Sequence, residues 1–88
     1  MNNIKLIKEP LSSDYYFNAG EYQFLIIKQG REGYSIETMK WDERRLYQTN
    51  VNFTDEVMKL AEVKEAIFYY LLNIAATRAL EKLNLTTK

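Results

Sequence analysis

Residues 55–83 read DEVMKLAEVKEAIFYYLLNIAATRALEKL. This stretch contains neither glycine nor proline, and acidic residues open it; both features favour a single long helix. At 100° per residue, six of its apolar side chains fall on one face, as in a helix that packs on a core. They are Leu60, Val63, Ile67, Tyr70, Leu71 and Ile74. We therefore predict a C-terminal helix, about 55–83, packed on one face of the remaining chain.

The same helix carries a second apolar stripe, which we call the helix seam. It consists of Phe68, Leu72, Ala75, Ala76, Ala79 and Leu83. A helix of about 29 residues runs roughly 43 Å, whereas strands of about eight residues reach about 27 Å, so the distal helix should overhang the sheet, bend back or be covered by another chain. We predict that the seam joins two copies of the chain in a homodimer. The alternatives are a helix broken near residues 62–65, which would bury the seam within the chain, and a different protein as the partner.

Residues 4–53 are rich in β-branched and aromatic residues separated by turn signals. The segments that read as strands are 4–8, 14–18, 22–29, 34–41 and 46–53. Two glycines frame the loop at residues 30–33 and favour a hairpin there. The predicted fold class is therefore α+β: an antiparallel sheet of four to five strands (residues 4–53), followed by one long or broken helix (about 55–83) on one face.

The last strand segment alternates with period two, which indicates one buried and one wet face. Tyr47, Val51 and Phe53 should point at the helix, while Gln48 and Asn50 should point away from it. Matching this pattern to the helical stripe places the core between the sheet and the first face of the helix.

The composition limits the chemistry that the chain can carry. Its 88 residues predict one domain, 1–88, and its 12 basic and 12 acidic residues give a net charge of zero. There is no cysteine and no histidine, which excludes disulfides, Cys/His zinc sites, thiol nucleophiles and imidazole bases. No phosphate-binding glycine loop is present either. We expect no catalytic residue, no cofactor, no metal and no enzyme activity.

The N-terminal segment bears on localisation. Lys5 and Lys8 interrupt the apolar residues there, so the segment does not read as a signal peptide. No apolar run approaches the roughly 20 residues that span a bilayer. We expect a cytoplasmic protein that does not bind a membrane.

Aromatic residues make up 14% of the chain, and several lie close to basic residues in the strand-rich half. Stacking rings beside basic side chains are typical of surfaces that bind single-stranded nucleic acid. The candidate contact residues for nucleic acid or another partner are Lys28, Arg31, Lys40, Trp41, Arg44 and Arg45. The order of antiparallel strands followed by a helix, over residues 22–70, resembles the whirly type of single-stranded-DNA-binding domain, and that resemblance implies a dimer. Against this, seven acidic residues balance seven basic ones in residues 1–53, whereas binding a nucleic-acid backbone requires uncompensated positive charge.

Three functions follow from these observations. We expect a small non-enzymatic interaction or regulatory protein that binds another macromolecule as a homodimer. The heavy use of Asn, Lys, Ile and Tyr is compatible with an inhibitor from a phage or another mobile element. The alternatives are a single-stranded nucleic-acid-binding module and a subunit of a larger assembly whose helix seam docks on a different protein.

Overall fold

The computed structural model describes the backbone of residues 4–86 and the side chains of residues 4–83. Its elements are β1 (Ile7–Lys8), β2 (Tyr15–Ala19), β3 (Tyr22–Gln29), β4 (Gly33–Trp41), β5 (Gln48–Asn50) and α1 (Leu60–Thr86). Each strand pairs antiparallel with the next one along the chain, so the sheet order is β1-β2-β3-β4-β5. The predicted α+β class, a five-stranded antiparallel sheet followed by one C-terminal helix, is confirmed.

The centre of the sheet is the β3–β4 hairpin, and its register decides which side chains meet the helix. Phe24 pairs with Thr38 and Ile26 pairs with Ile36. All four side chains are buried, as expected where alternate residues of neighbouring strands share one face. This inner face of the sheet forms half of the core.

Helix α1 supplies the other half of the core. Val63 and Ile67 are fully buried against the inner face. Tyr70 stacks on Phe53 with ring centroids 4.3 Å apart, and it meets the edge of Phe24 at 6.0 Å. Aromatic pairs of this geometry add to the stability that burial provides. The first apolar stripe of the helix therefore packs as predicted.

The start of α1 lies five residues after the predicted one, because a long-range contact holds the preceding chain extended. Met58 and Tyr34 exchange two backbone hydrogen bonds, each 2.8 Å long, in an isolated antiparallel bridge. A residue paired in this way cannot also be helical. Helix α1 begins at Leu60, where the N–H of Lys59 donates to Glu62 Oε1 at 3.0 Å and satisfies a helix-terminal donor.

Strand β5 is shorter than predicted, because the loop before it is closed by Asp42. The carboxylate Oδ1 of Asp42 accepts the Leu46 N–H at 2.7 Å, and the Asp42 N–H donates to the Tyr47 carbonyl at 3.1 Å. Tyr47 therefore lies in this loop and is 56% exposed, so the prediction that it faces the helix is wrong. Val51 and Phe53 do pack against the core.

Helix α1 is continuous over its 27 residues, so no break occurs near residues 62–65. At 1.5 Å per residue it runs about 40 Å, and the molecule is 52 Å along its longest axis. Leu80 is 61% exposed, in keeping with the predicted overhang of the distal helix.

Candidate interaction surfaces

The helix seam runs along the side of α1 next to the face that packs on the sheet, and Ala75 lines the cleft between α1 and the β2–β3 turn. Leu72 and Leu83 are 51% and 59% exposed, respectively, and the three alanines Ala75, Ala76 and Ala79 are also exposed. Phe68 differs from the other five residues: it is half-buried and packs against the core. The seam is therefore an apolar surface that continues from the edge of the core along the overhanging helix.

An ion pair fixes the distal helix to the sheet. Arg78 of α1 pairs with Glu21 in the turn between β2 and β3. The hydrogen bond from Arg78 is the main reason that the pKa of the Glu21 carboxyl lies below its ordinary value of 4.5. The same contact raises the pKa of the Arg78 guanidinium. Ala75 of the seam lines the same cleft as Arg78, so this contact between α1 and the sheet lies beside the seam.

The sheet has a second apolar surface on the face opposite the helix, which we call the open face. It is formed by Ile7, Tyr16, Leu25, Ile27, Met39 and Trp41. Ile7 is exposed and the other five side chains are partly buried. No helix or strand in residues 4–86 packs over this face, since α1 lies on the inner one.

Polar groups on the open face pair with one another beside its apolar centre. Gln48 donates to the side-chain oxygen of Gln23 at 3.1 Å, and Gln29 donates to the Ser35 hydroxyl at 2.9 Å. Glu37 lies directly opposite Leu25 and is exposed. It carries the only formal charge among the strand residues of this face that the structure describes.

The open face was not predicted, although the sequence contains a signal for it. In a strand with one wet face, every second residue is polar. In β3, however, Leu25 and Ile27 alternate with the buried residues Phe24 and Ile26. An apolar run of this kind indicates a strand that is apolar on both faces.

The structure does not bring the six candidate nucleic-acid contacts together. Lys28 lies over the ring of Tyr34, with Nζ 4.7 Å from its centroid, and Lys40 lies over Tyr22 at 5.8 Å. Both lysines are on the helix side of the sheet and, by strand rise, about 20 Å apart. Trp41 is on the open face.

The arginines among these candidates lie in loops. Arg31 is in the β3–β4 turn, and Arg44 and Arg45 are in the β4–β5 loop. There Arg44 Nε is 3.8 Å from the Asp42 carboxylate. The basic residues therefore lie in separate places on the molecule, and the charge of Arg44 is partly neutralised by Asp42.

Two clefts flank Arg78 where α1 diverges from the sheet. One, of about 390 Å³, lies between Ala75 and the β2–β3 turn. The other, of about 460 Å³, is lined by Lys40, Tyr70 and Glu81 among others. Burial is the main cause of the raised pKa of the Tyr70 hydroxyl, followed by the nearby Tyr22. Within residues 4–86, no three His, Cys, Asp or Glu side chains are grouped so that they could hold a metal ion.

The length and apolarity that a bilayer-crossing helix requires are not combined in any helix of the described part of the chain. Among the described residues, the helix seam is an apolar surface on α1, and the open face is an apolar surface on the side of the sheet that α1 does not cover. Comparison with protein-family models, with curated proteins and with solved structures finds no match for this chain.

Proposed function

We propose that this chain is a small non-enzymatic regulatory protein, which binds another macromolecule and forms a homodimer through the helix seam. One observation carries the proposal: five of the six seam residues are exposed on a continuous helix whose other side is already packed on the sheet. Folded monomers rarely leave such an apolar surface in contact with water.

The spacing of the seam supports pairing with another helix. Phe68, Leu72, Ala75, Ala79 and Leu83 follow one another at intervals of 4, 3, 4 and 4 residues, close to the alternation that keeps a seam directed at a partner helix. The three small side chains in the middle allow two helix backbones to approach closely. Closed two-fold pairing is the commonest arrangement of identical chains. The helices of the dimer would cross near Ala75 and Ala76.

Two features support binding rather than catalysis. The chain contains neither cysteine nor histidine, the side chains that most often serve as nucleophile or general base. The raised pKa of Tyr70 has a structural explanation, since this ring packs within the aromatic cluster of the core. Both features support a role in binding.

Sedimentation of a charge-substituted variant tests the dimer. The variant Leu72→Glu with Ala79→Glu places two carboxylates in the seam of each chain. Pairing of two chains would then bring four carboxylates together in an interface from which water is excluded. We expect the wild type to sediment as a dimer and this variant as a folded monomer, because desolvating unpaired charge costs several kcal/mol.

The matched control is Asn73→Glu with Thr77→Glu. Both positions are exposed on the same helix, and they line the cleft beside Tyr70, which contains no seam residue. This control adds the same charge to the same element, and it should remain dimeric. If the two variants and the wild type all sediment as monomers, or if the control dissociates as fully as the seam variant, the seam does not join the chains.

A further inference from the structure

We infer that the open face binds a protein whose contact surface is apolar and presents a basic side chain to Glu37. This inference rests on the proposed function, because it names the surface with which the homodimer would engage its target. A dimer joined through the seam leaves the open face of each chain available, since the seam is on α1 and the open face is the side of the sheet that α1 does not cover.

The side chains of the open face are those that protein interfaces use. Tyr, Trp and Met are enriched in the centres of such interfaces. On the open face Tyr16 lies opposite Leu25, while Met39 and Trp41 lie further along β4, opposite Gln23 and Gln48. These two glutamines already bond to each other. The face therefore offers a partner apolar side chains at both ends of the β3–β4 pair, with Glu37 between them.

Glu37 distinguishes between the classes of partner. It is exposed, and the structure gives it no ion pair within the described residues. Phosphates of a nucleic acid would be repelled by its carboxylate, and Lys28 and Lys40 lie on the other face of the sheet, where they cannot compensate. An apolar protein surface with one lysine or arginine would complement both the apolar residues and the charge.

A second copy of the chain fits the open face poorly. A two-fold axis through the centre of this face would bring the two Glu37 carboxylates towards each other, and opposed like charges in an interface are unfavourable. The charge of the open face therefore favours a different protein.

The only tryptophan of the chain provides the readout. Trp41 lies on the open face, so its fluorescence reports what covers that face, whereas the seam is on α1, on the other side of the sheet. The probe is a displayed library of random peptides, panned against the full-length wild-type protein. Enriched peptides are then synthesised and titrated while Trp41 emission is followed.

We expect enriched peptides that combine apolar residues with lysine or arginine and that shift Trp41 emission. Glu37→Lys should weaken their binding about tenfold or more by charge reversal, with Glu37→Gln intermediate. This position is exposed, so the fold should persist in both variants. Ile27→Thr, which keeps a β-branched residue in the strand, should also weaken binding. The seam variant Leu72→Glu with Ala79→Glu should bind the peptides normally.

Four results would overturn the inference. They are enrichment of no peptide or of acidic peptides, binding that is indifferent to Glu37→Lys, a Trp41 shift caused by raising the protein concentration alone, and a Trp41 shift caused by an oligothymidylate. The third result would assign the open face to a second copy and the fourth to nucleic acid. Sedimentation of the same samples reports the dimer separately, so failure here and failure of the proposed dimer are distinguishable.

Discussion

Replacing Gly33 with alanine should disrupt the backbone pairing that holds the segment before the helix against β4. Gly33 has a φ of +135°, and a Cβ added there would lie 2.5 Å from the Met58 carbonyl oxygen. That oxygen accepts the Tyr34 N–H, so relieving the clash would disrupt the bridge. Backbone strain of about 1–3 kcal/mol and two lost hydrogen bonds of about 0.5–1.5 kcal/mol each predict that Gly33→Ala lowers the free energy of unfolding by about 2–6 kcal/mol.

The matched control is Gly30→Ala in the same hairpin. Gly30 has a φ of +57°, and an added Cβ there would meet nothing within 4 Å, so only the cost of a left-handed alanine, about 1–2 kcal/mol, remains. Urea denaturation followed by far-ultraviolet circular dichroism measures both variants. If both variants lost the same free energy of unfolding, the close approach of Met58 to Gly33 would have no energetic consequence, contrary to this prediction.

The other predictions concern the core, the ion pair and the disfavoured nucleic-acid function. Ile67→Ala should lower the free energy of unfolding by about 2–5 kcal/mol as a fully buried truncation; a near-neutral urea curve would remove Ile67 from the core. Because the pKa of Glu21 is lowered in the folded state, its contribution is present above pH 4.5 and declines as pH falls through the folded pKa. Arg78→Met should therefore reduce the loss of stability between pH 6 and pH 3, as measured by urea titration, and an unchanged loss would contradict the ion pair. Single-stranded DNA should not bind tightly at physiological salt; a micromolar or tighter complex in a fluorescence-anisotropy titration, weakened by replacing Arg44 and Arg45, would reverse our ranking of functions.

Local patterns predicted most of the architecture. The first apolar stripe of α1 could be predicted because a period of 3.6 residues depends only on the sequence of one element. Val63 and Ile67 are accordingly buried. The β3–β4 hairpin was predictable for a similar reason, since two glycines bracket its turn between β-branched runs.

Features that depend on distant parts of the chain could not be predicted in this way. The start of α1 is set by the pairing of Met58 with Tyr34, 24 residues earlier in the chain, which overrides the local signal for a helix start near residue 55. The short β5 depends on the Asp42 carboxylate closing its loop. Which face of β3 remains uncovered depends on the existence of a single helix, which no strand pattern shows by itself.

The faces on which the basic residues lie could not be predicted from the sequence either. Lys28, Lys40 and Trp41 alternate with other residues in strands whose register assigns the two lysines to one face and the tryptophan to the other. A shift of one residue in that register would exchange their faces. Residues that are close together in the sequence therefore do not lie on the same surface of the sheet.

The central claim is that the helix seam joins two chains, and sedimentation equilibrium of the wild-type protein over the micromolar range tests it most directly. For a chain of 10.5 kDa, we expect the weight-average mass to rise to twice the chain mass and to level off. We also expect Leu72→Glu with Ala79→Glu to stay at the chain mass while remaining folded. A wild-type protein that stays at 10.5 kDa at high micromolar concentration would contradict the claim.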